Sequence, residues 1–313
     1  MKLTYALQTT QAITRPFSVL PYRLTRHLNG YLFLLPAIIV FALVAWYPIV
    51  RAFQMSFQEV SLIGESKNVG FENYELMKKD PARKIIFENS IEFASWSILL
   101  GYAVPVVVAI LVREMRFGKG FFRIVYFLPS VVPVSIAVIV WRFIYDPDSG
   151  VLNEFLELFG IKGQLWLYDP KLAKPSIVAV MTWGTFGTTT LIYLSSLLDI
   201  PTELYEAAEL DGASPLMRIR HITLPHLFPI MSLLFVLQIL AVVQVFTEPF
   251  LFTKGGPGRR ETLTPVLHIY NRAFGRADMG YAAAWSVVLV IVLVAFSAFY
   301  QIANRRIAAR QEN

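Results

Sequence analysis

One polar interval of this 313-residue chain, residues 199–225, lies between two apolar runs and holds an ordered set of carboxylates, alanines and glycine. Glu206 precedes two alanines, which strongly favour a helix, and Gly212 follows Asp211, where glycine is a natural helix end. On a short exposed helix, small side chains allow close approach, and a carboxylate can form a charge-assisted hydrogen bond with a basic partner. The pattern is carried by Glu206, Ala207, Ala208, Asp211, Gly212, Ile222, Leu224 and Pro225.

The ends of this helix are predicted from the residues on either side. Pro201 fits a first helical turn, with Asp199 or Thr202 as the N-cap. The pair Ser214–Pro215 predicts the start of a second short helix, and Leu224–Pro225 is expected to close it before the next apolar run. The interval therefore predicts a helix, a break and another helix.

Polar side chains inside two apolar runs form a second set of candidates. Such groups are costly in a membrane span and usually face a cavity or a neighbouring helix. At about 100° per residue, Gln244 and Glu248 lie about 40° apart, with Gln238 within about another 80°, so one helix face could be polar. Packing and hydrogen bonding between helices are the alternative explanation. The set is Thr185, Thr188 and Tyr193 in the fourth run, and Gln238, Gln244 and Glu248 in the fifth.

Other kinds of chemistry have little support in the sequence. The chain has no cysteine, which rules out disulfides and thiolate metal sites. Its four histidines are scattered without the spacing of metal ligands. No G-x-x-x-x-G-K-[ST] stretch is present, so the sequence has no phosphate-binding loop of that type. We therefore expect no catalytic residue, no metal site and no cofactor bound by this chain.

Composition favours a membrane protein. Hydrophobic residues make up 56% of the chain, charged residues 16%, and the mean hydropathy is +0.54. Soluble domains are nearer about 45–50% apolar and about 25% charged. The net charge of +6 suits anionic lipid. Because the basic residues are spread among several loops, we do not expect a nucleic-acid partner.

Six apolar runs are each long enough to cross a bilayer, which requires about 20 residues. Pro105 is expected to kink the second run, and Pro129 and Pro133 to interrupt the third. The predicted fold is therefore all-α, a polytopic membrane protein with six transmembrane helices. The runs are 31–50, 93–112, 123–145, 175–198, 227–252 and 281–302.

Six spans place both termini on one side of the membrane. Lys and Arg number 13 on each side, so the short basic loop 113–123 decides the positive-inside rule and favours cytoplasmic termini. Short helices are expected between spans near 152–159 and 263–274. The predicted organisation is a cytoplasmic segment 1–28, a transmembrane domain 29–303 and a cytoplasmic tail 304–313.

The interval 199–225 resembles the EAA loop of binding-protein-dependent ABC transporter permeases. That loop has Glu-Ala-Ala, then Asp-Gly, then Ile-x-Leu-Pro ten residues after the glycine, and this chain keeps the spacing. A helix that lies at the membrane surface without a docking role is the alternative. Further stretches are similar to the carbohydrate-uptake branch of these permeases: Gly70–Tyr74, Phe121–Arg142, Asp146–Asn153, Thr253–Pro257 and Gly280–Ala284.

The resemblance covers roughly residues 28 to 303 and implies a subunit of an ATP-driven importer. The solute would be a sugar or sugar-like compound, such as an oligosaccharide, a polyol or glycerol-3-phosphate. The implied partners are a second EAA-type permease subunit, two ATPase subunits that bind the ATP and Mg²⁺, and an extracytoplasmic solute-binding protein. The implied location is the cytoplasmic membrane of a bacterium or archaeon. A stand-alone secondary transporter or channel is the alternative function.

The resemblance also gives roles to particular residues. The motif residues would couple the ATPase to the spans, with Glu206 facing a basic group of the ATPase and Gly212 ending the coupling helix. Aligned on the motif with the maltose-type permease, the positions equivalent to its sugar contacts are Thr185, Thr188, Gln238 and Val242. Val242 departs from that permease, in which the position is polar, so an identical set of sugar contacts is not implied.

Overall fold

The computed structural model describes residues 22–61, 63–115, 117–258 and 260–311, and most of them lie in helices. The chain divides into two compact units, residues 1–51 and 52–313. The α-helices are α1 (Tyr22–Phe41), α2 (Tyr47–Met55), α3 (Glu72–Lys79), α4 (Ala82–Ser97), α5 (Ala103–Glu114), α6 (Lys119–Phe127), α7 (Val134–Ile144), α8 (Val151–Glu157), α9 (Ala173–Leu198), α10 (Thr202–Leu210), α11 (Pro215–Arg218), α12 (Leu224–Val243), α13 (Thr247–Thr253), α14 (Pro265–Ala273) and α15 (Met279–Gln311).

Shorter elements interrupt or join these helices. Two antiparallel strands of two residues each, β1 (Gln58–Glu59) and β2 (Lys67–Asn68), form a small hairpin. Three π-helical turns, Ala42–Trp46, Ile98–Tyr102 and Ile219–Thr223, link successive α-helices, and a 3₁₀ turn, Leu128–Val131, follows α6. The helices predicted near 152–159 and 263–274 are confirmed as α8 and α14.

The first unit contains, in its described part, α1, a π turn and the first residues of α2. Apolar residues occur on all sides of this helix, which is typical of a membrane span. The most apolar 18 residues within Tyr31–Met55 have a mean hydropathy of 2.4, which confirms the first predicted span. Of the predicted segment 1–28, residues 1–21 lie outside the described residues, and α1 begins at Tyr22.

The predicted membrane fold is confirmed by the long helices. Among the described residues, five helices are long and apolar enough to cross a bilayer, and a sixth span arises if the bent pair α6–α7 is counted as one. The five are Tyr31–Met55, Ala82–Glu114, Ala173–Leu198, Pro215–Val243 and Met279–Asn304.

The second span is longer than predicted, because it begins at Ala82 rather than near residue 93. The added turns carry charged residues, such as Lys84 and Glu88, which lower the local hydropathy and hide the helix from a search for apolar runs. The kink expected at Pro105 takes the form of the π turn Ile98–Tyr102. Pro105 has no N–H to donate to a carbonyl one turn earlier, and such a turn accommodates the missing bond.

The third predicted span is broken rather than merely interrupted. Helices α6 and α7 meet at an angle of 102°. Val132, which precedes Pro133, has an extended backbone (φ −76°, ψ 123°), because proline disfavours a helical conformation in the residue before it. Pro133 is then the N-cap of α7. The two prolines therefore make a sharp corner where the sequence suggested one irregular span.

The fifth predicted span, 227–252, is wrong at its C-terminal end. Helix α12 ends at Val243, and α13 begins at Thr247. Pro249 cannot donate a hydrogen bond to the Val245 carbonyl, and the hydroxyl of Thr264 donates to that carbonyl instead, at 2.6 Å. The helix is therefore interrupted where another segment supplies the missing donor.

Three clusters of buried side chains hold the second unit together. Phe93 and Val242 belong to the first cluster, Tyr193 to the second, and Leu267 and Trp285 to the third. Helix α9 is central, because α4, α5, α6, α7 and α12 all pack against it. The polar interval that follows α9 is thus attached directly to the core of the unit.

Candidate functional site

The first helix predicted in the polar interval is α10. Pro201 is its N-cap, with φ −55° and ψ 133°, and no side chain caps its first turn. The prediction of Asp199 or Thr202 as N-cap is therefore wrong. Asp199 has helical backbone angles as the C-cap of α9, and Thr202 is already the first residue of α10. The free N–H groups of an exposed first turn can instead bond to water.

The predicted end of α10 at Gly212 is confirmed. Gly212 has φ +80°, a left-handed conformation that glycine adopts without steric cost. Its N–H donates to the Glu209 carbonyl at 3.0 Å, and the N–H of Ala213 donates to the Ala208 carbonyl at 2.9 Å. These two bonds form a Schellman motif, which satisfies the last carbonyls of the helix.

The second helix begins as predicted but does not end as predicted. The Ser214 hydroxyl accepts the Met217 N–H at 3.3 Å, so Ser214 caps α11. The helix then continues through the π turn Ile219–Thr223 into α12, and the whole stretch Pro215–Val243 is one span. Pro225 was expected to close the unit, but it lies in the first turn of α12, where its missing N–H is tolerated next to the π turn.

One face of α10 is attached to the membrane helices. Tyr205 places its hydroxyl 2.9 Å from the hydroxyl of Thr223, which is buried in the π turn. The Arg113 guanidinium, at the end of α5, lies 3.9 Å from the centre of the Tyr205 ring. On the same face, Glu209 accepts a hydrogen bond from Arg218 at 3.1 Å. These five residues were missed by the sequence analysis, although Tyr205 and Glu209 share helical spacing with half-buried Ala208.

The opposite face of α10 is exposed. Glu206, Ala207 and Leu210 lie on it at helical spacing, and the Leu210 side chain is 89% exposed. Leu216, at the start of α11, is 74% exposed. Leucines this exposed, next to a carboxylate and small residues, form a surface that a partner protein could cover. The remaining motif residues are exposed Asp211, Gly212, Leu224 and Pro225, and half-buried Ile222.

The candidate path residues of α9 fall into two groups. Thr185 and Thr188 are exposed, and their hydroxyls donate to the carbonyls of Met181 (2.9 Å) and Thr185 (2.8 Å). Each hydroxyl therefore satisfies its donor inside the helix and keeps acceptor capacity toward the exposed face. Tyr193, by contrast, is fully buried in the second cluster. The structure does not bring it together with the two threonines.

Gln238 lies between three membrane helices. Its amide nitrogen contacts the Ser97 hydroxyl of α4. A Cβ at Gly101, in the π turn after α4, would lie 2.7 Å from that amide nitrogen and 3.4 Å from the Thr182 hydroxyl of α9. Gly101 therefore leaves room for the amide, and Gln238 forms the interhelical hydrogen bond that was the alternative to a role in the path.

The remaining candidates of the fifth run do not share one face. Gln244 is the C-cap of α12, with φ −96° and ψ 5°, and its amide donates to the Leu240 carbonyl at 2.9 Å. Glu248 is half-buried in α13, beyond the break. The angles computed for one continuous helix therefore do not apply. Val242 is only 2% exposed and packs in the first cluster.

A buried lysine at the start of α9 was also missed. Lys174 is 4% exposed, contacts the Glu92 carboxylate, and donates to the Asn89 side-chain oxygen at 3.1 Å. The amide nitrogen of Asn89 in turn donates to the backbone carbonyls of Arg260 (2.8 Å) and Leu263 (3.0 Å). The signal was present in the sequence, as polar residues at the starts of two spans, but the partners are distant in sequence.

Asp80 is the centre of a second polar cluster, which joins the loop before α4 to α14 and α15. It accepts hydrogen bonds from Arg272 at 2.6 Å and from the Tyr281 hydroxyl at 2.7 Å through Oδ2, and from the Ala82 N–H at 2.8 Å. Burial opposes ionisation of this carboxyl, but the hydrogen bonds outweigh it and lower the pKa of Asp80. The described residues contain no group of three or more His, Asp or Glu side chains that could hold a metal ion.

The amino-acid sequence of the chain is also similar to those of known proteins. Residues 95–309 match a protein family described as the inner membrane component of binding-protein-dependent transport systems. The match covers more than half of the chain and includes α10.

Two relatives and one solved structure are similar over most of the chain. The chain is 30% identical over 270 residues to the arabinooligosaccharides transport system permease protein of Bacillus subtilis, and the aligned region covers 85% of each chain. It is 30% identical over 283 residues to the sulfoquinovosyl glycerol transport system permease protein of Agrobacterium fabrum. That aligned region covers 87% of this chain and 89% of the relative. A chain of a bacterial alginate ABC transporter, crystallised with an alginate pentasaccharide-bound periplasmic protein, has a TM-score of 0.81 at 24% identity over 91% of this chain and 96% of its own length. That structure shows a shared fold.

Proposed function

The chain belongs to the family of inner membrane components of binding-protein-dependent transport systems, the permeases of ABC transporters, and we propose that it imports a sugar or sugar-like solute. An oligosaccharide, a polyol or glycerol-3-phosphate would fit this class. The chain would form part of the path across the membrane, and a partner ATPase would supply the energy.

The observation that carries this proposal is the exposed face of α10. Glu206, Ala207 and Leu210 project from a helix whose other face is fixed to the spans. An apolar side chain as exposed as Leu210 is stabilised when a partner covers it. A basic group of that partner would pair with Glu206. We propose that this surface docks into a groove of the ATPase. On that proposal, α10 and both termini would lie in the cytoplasm.

The attached face of α10 supplies the mechanical link. Motion of a docked α10 would reach the π turn before α12 through Tyr205 and Thr223, and the end of α5 through Arg113. Packed helices of this kind move as rigid bodies when a partner closes. ATP-driven closure would therefore tilt α5 and α12 and open or close the path between the spans.

The solute class rests on the relatives and on the neutral groups of the candidate path. Both relatives are named as permeases for sugar-containing compounds. Thr185 and Thr188 offer hydroxyl groups on an exposed face of α9, and Gln244 offers an exposed amide at the end of α12. Hydroxyls and amides can donate to and accept from a sugar. We place these three residues and Glu248 on the path, with Gln238 behind them, and regard Tyr193 and Val242 as packing residues.

The proposal requires several partners. The exposed threonine face of α9 would meet a second EAA-type permease subunit, so that the two chains enclose the path. Two ATPase subunits would dock on the two coupling helices and would bind the ATP and Mg²⁺. A solute-binding protein would deliver the sugar at the opposite, extracytoplasmic end. Lipid would cover the outer surfaces of the spans.

A mild-detergent purification of the tagged chain from its own cells tests this assembly. We expect an ATPase and a second permease to co-purify in fixed proportion, and both to be identified by mass spectrometry. A matched preparation with Leu210→Lys should lose the ATPase and keep the second permease, because only the face of α10 has changed. Recovery of the folded chain alone would contradict the proposal and would favour a stand-alone transporter or channel.

A further inference from the structure

A cavity of about 390 Å³ lies at the end of the spans opposite α10, between residues 254–258 and 260–263 on one side and α14 on the other. Among the described residues, four cationic ones line it: Lys254, Arg260, Arg272 and Arg276. No Asp or Glu is among the described residues of its wall. Cations with no acid between them repel one another, so such a cavity is a favourable place for an anion.

Only part of this positive charge is balanced by the described chain. Arg272 lies 2.6 Å from Asp80 and 3.8 Å from Asp278. None of the ion pairs between described residues involves Lys254, Arg260 or Arg276. Three cations of the wall therefore have no ion pair with another described residue.

The buried side chain of His268, in the wall of the cavity, is affected by the same excess of positive charge. Its imidazole is 4% exposed and lines the cavity. In the part of the chain that is described, its Nε2 has no hydrogen-bond partner, and the Asp80 carboxylate oxygen is 3.7 Å away. Burial lowers the pKa of His268 to about 4; Asp80 opposes this shift, and the charges of Arg272, Arg260 and Arg276 lower it further. A further positive charge, on the His268 imidazole, is thus disfavoured in the wall of the cavity.

We propose that this cavity is a binding site for an oxyanion, a carboxylate or phosphate-type group held by Lys254, Arg260 and Arg276. Guanidinium groups bind such groups through paired, charge-assisted hydrogen bonds. The anion can be a free small molecule or an acidic side chain of another protein, because both present the same chemistry. The proposal does not depend on the import of sugar, since it follows from the charges of the cavity alone.

The test measures the unfolding temperature of the full chain, purified with its co-purifying partners in a phosphate-free detergent. Inorganic phosphate is added while chloride keeps the ionic strength constant. We expect a saturable rise in unfolding temperature, as for any ligand that binds the folded state. The double variant Arg260→Gln, Arg276→Gln should need at least about tenfold more phosphate. Lys162→Gln, which removes an exposed charge elsewhere, should respond as the wild type does.

A second pair of probes separates the two sources of the anion. Hexaglutamate is compared with hexaglutamine at the same ionic strength. If hexaglutamate saturates the rise in unfolding temperature at a lower concentration than phosphate does, the site is assigned to an acidic segment of a protein. If phosphate saturates it at the lower concentration, the site is assigned to a free anion. If the double variant is less stable in chloride, Arg276→Gln alone serves, since Arg276 is exposed. Equal responses of wild type and variant to both probes, or no response, would overturn the proposal.

Discussion

Tyr205 connects the exposed helix α10 to the spans through one hydroxyl and one ring face. Its hydroxyl lies 2.9 Å from that of Thr223, and Arg113 stacks on its ring. The ring contact is a cation–π interaction, and the hydroxyl contact involves a buried threonine. The hydroxyl contact and the ring contact of Tyr205 can each be removed by a separate substitution.

Tyr205→Phe removes the hydroxyl and keeps the ring. A neutral hydrogen bond of this kind contributes about 1 kcal/mol, so the amides of residues 202–210 should exchange with solvent about fivefold faster. Hydrogen exchange followed by mass spectrometry measures this. Tyr168→Phe, at an exposed tyrosine in another loop, is the control. Unchanged exchange in α10 would show that the hydroxyl does not hold the helix.

Gly212→Ala tests the end of the same helix. Alanine at φ +80° is strained by about 1–2 kcal/mol, so the Schellman bonds of Gly212 and Ala213 should open more often. We expect faster amide exchange at residues 212–213 and reduced sugar uptake at normal membrane insertion. Gly120→Ala is the matched control, because that glycine lies in a helix with open space around its Cβ position. Equal effects of the two substitutions would contradict the assigned role of Gly212.

His268 gives the chain a predictable response to acid. Its pKa is lowered to about 4 by burial, so between pH 4 and 6.5 the unfolded chain binds a proton that the folded chain does not. Stability should therefore fall as the pH drops through that window. Thermal unfolding at pH 7 and pH 5 should show a smaller loss for His268→Gln than for the wild type. His226→Gln, at an exposed histidine near the other end, is the control; identical pH profiles for all three would refute the assignment.

At the scale of elements, prediction from the sequence worked where one residue decides the local structure. Gly212 ends α10 and Ser214 caps α11, because each effect depends on neighbours within four residues. It failed at the start of α10, where Pro201 is the N-cap and no side chain caps the helix, and it failed where the decisive partner is distant. The break after α12 depends on Thr264, which donates to the Val245 carbonyl. Without that contact, residues 227–252 resemble one apolar helix, and the angles between Gln238, Gln244 and Glu248 were misjudged for the same reason.

The packing of α9 against the α6 corner was also beyond sequence analysis. A Cβ at Gly187 would lie 2.2 Å from the Tyr126 carbonyl oxygen, a backbone atom that cannot rotate away. Gly187→Ala should therefore lower the unfolding temperature in detergent, with a cost of about 1–3 kcal/mol or more. Gly184→Ala, one turn earlier on the same helix, has no atom within 4 Å of its new Cβ and should be nearly neutral. A neutral Gly187→Ala would show that α6 and α9 are not packed this closely.

At the scale of the whole molecule, the spans place two surfaces at opposite ends. One is the exposed face of α10, with Glu206 and Leu210, which we propose as the docking face, and the other is the cationic cavity beside α14. Five of the six predicted spans and the position of α10 could be predicted, because hydropathy and the motif are local patterns. The cavity could not be predicted, because Arg260 and Arg276 come together only through the fold.

If α10 couples a partner ATPase to transport, Glu206→Lys should separate ATP hydrolysis from solute uptake. The variant should insert normally, but it reverses the charge at the proposed docking face. ATPase activity and solute uptake are measured together in vesicles that contain the purified complex. Glu157→Lys, at an exposed glutamate of α8, is the control and should transport normally. We predict that Glu206→Lys abolishes uptake driven by ATP. Unchanged uptake per ATP hydrolysed by an intact Glu206→Lys complex would show that α10 does not couple the ATPase to transport.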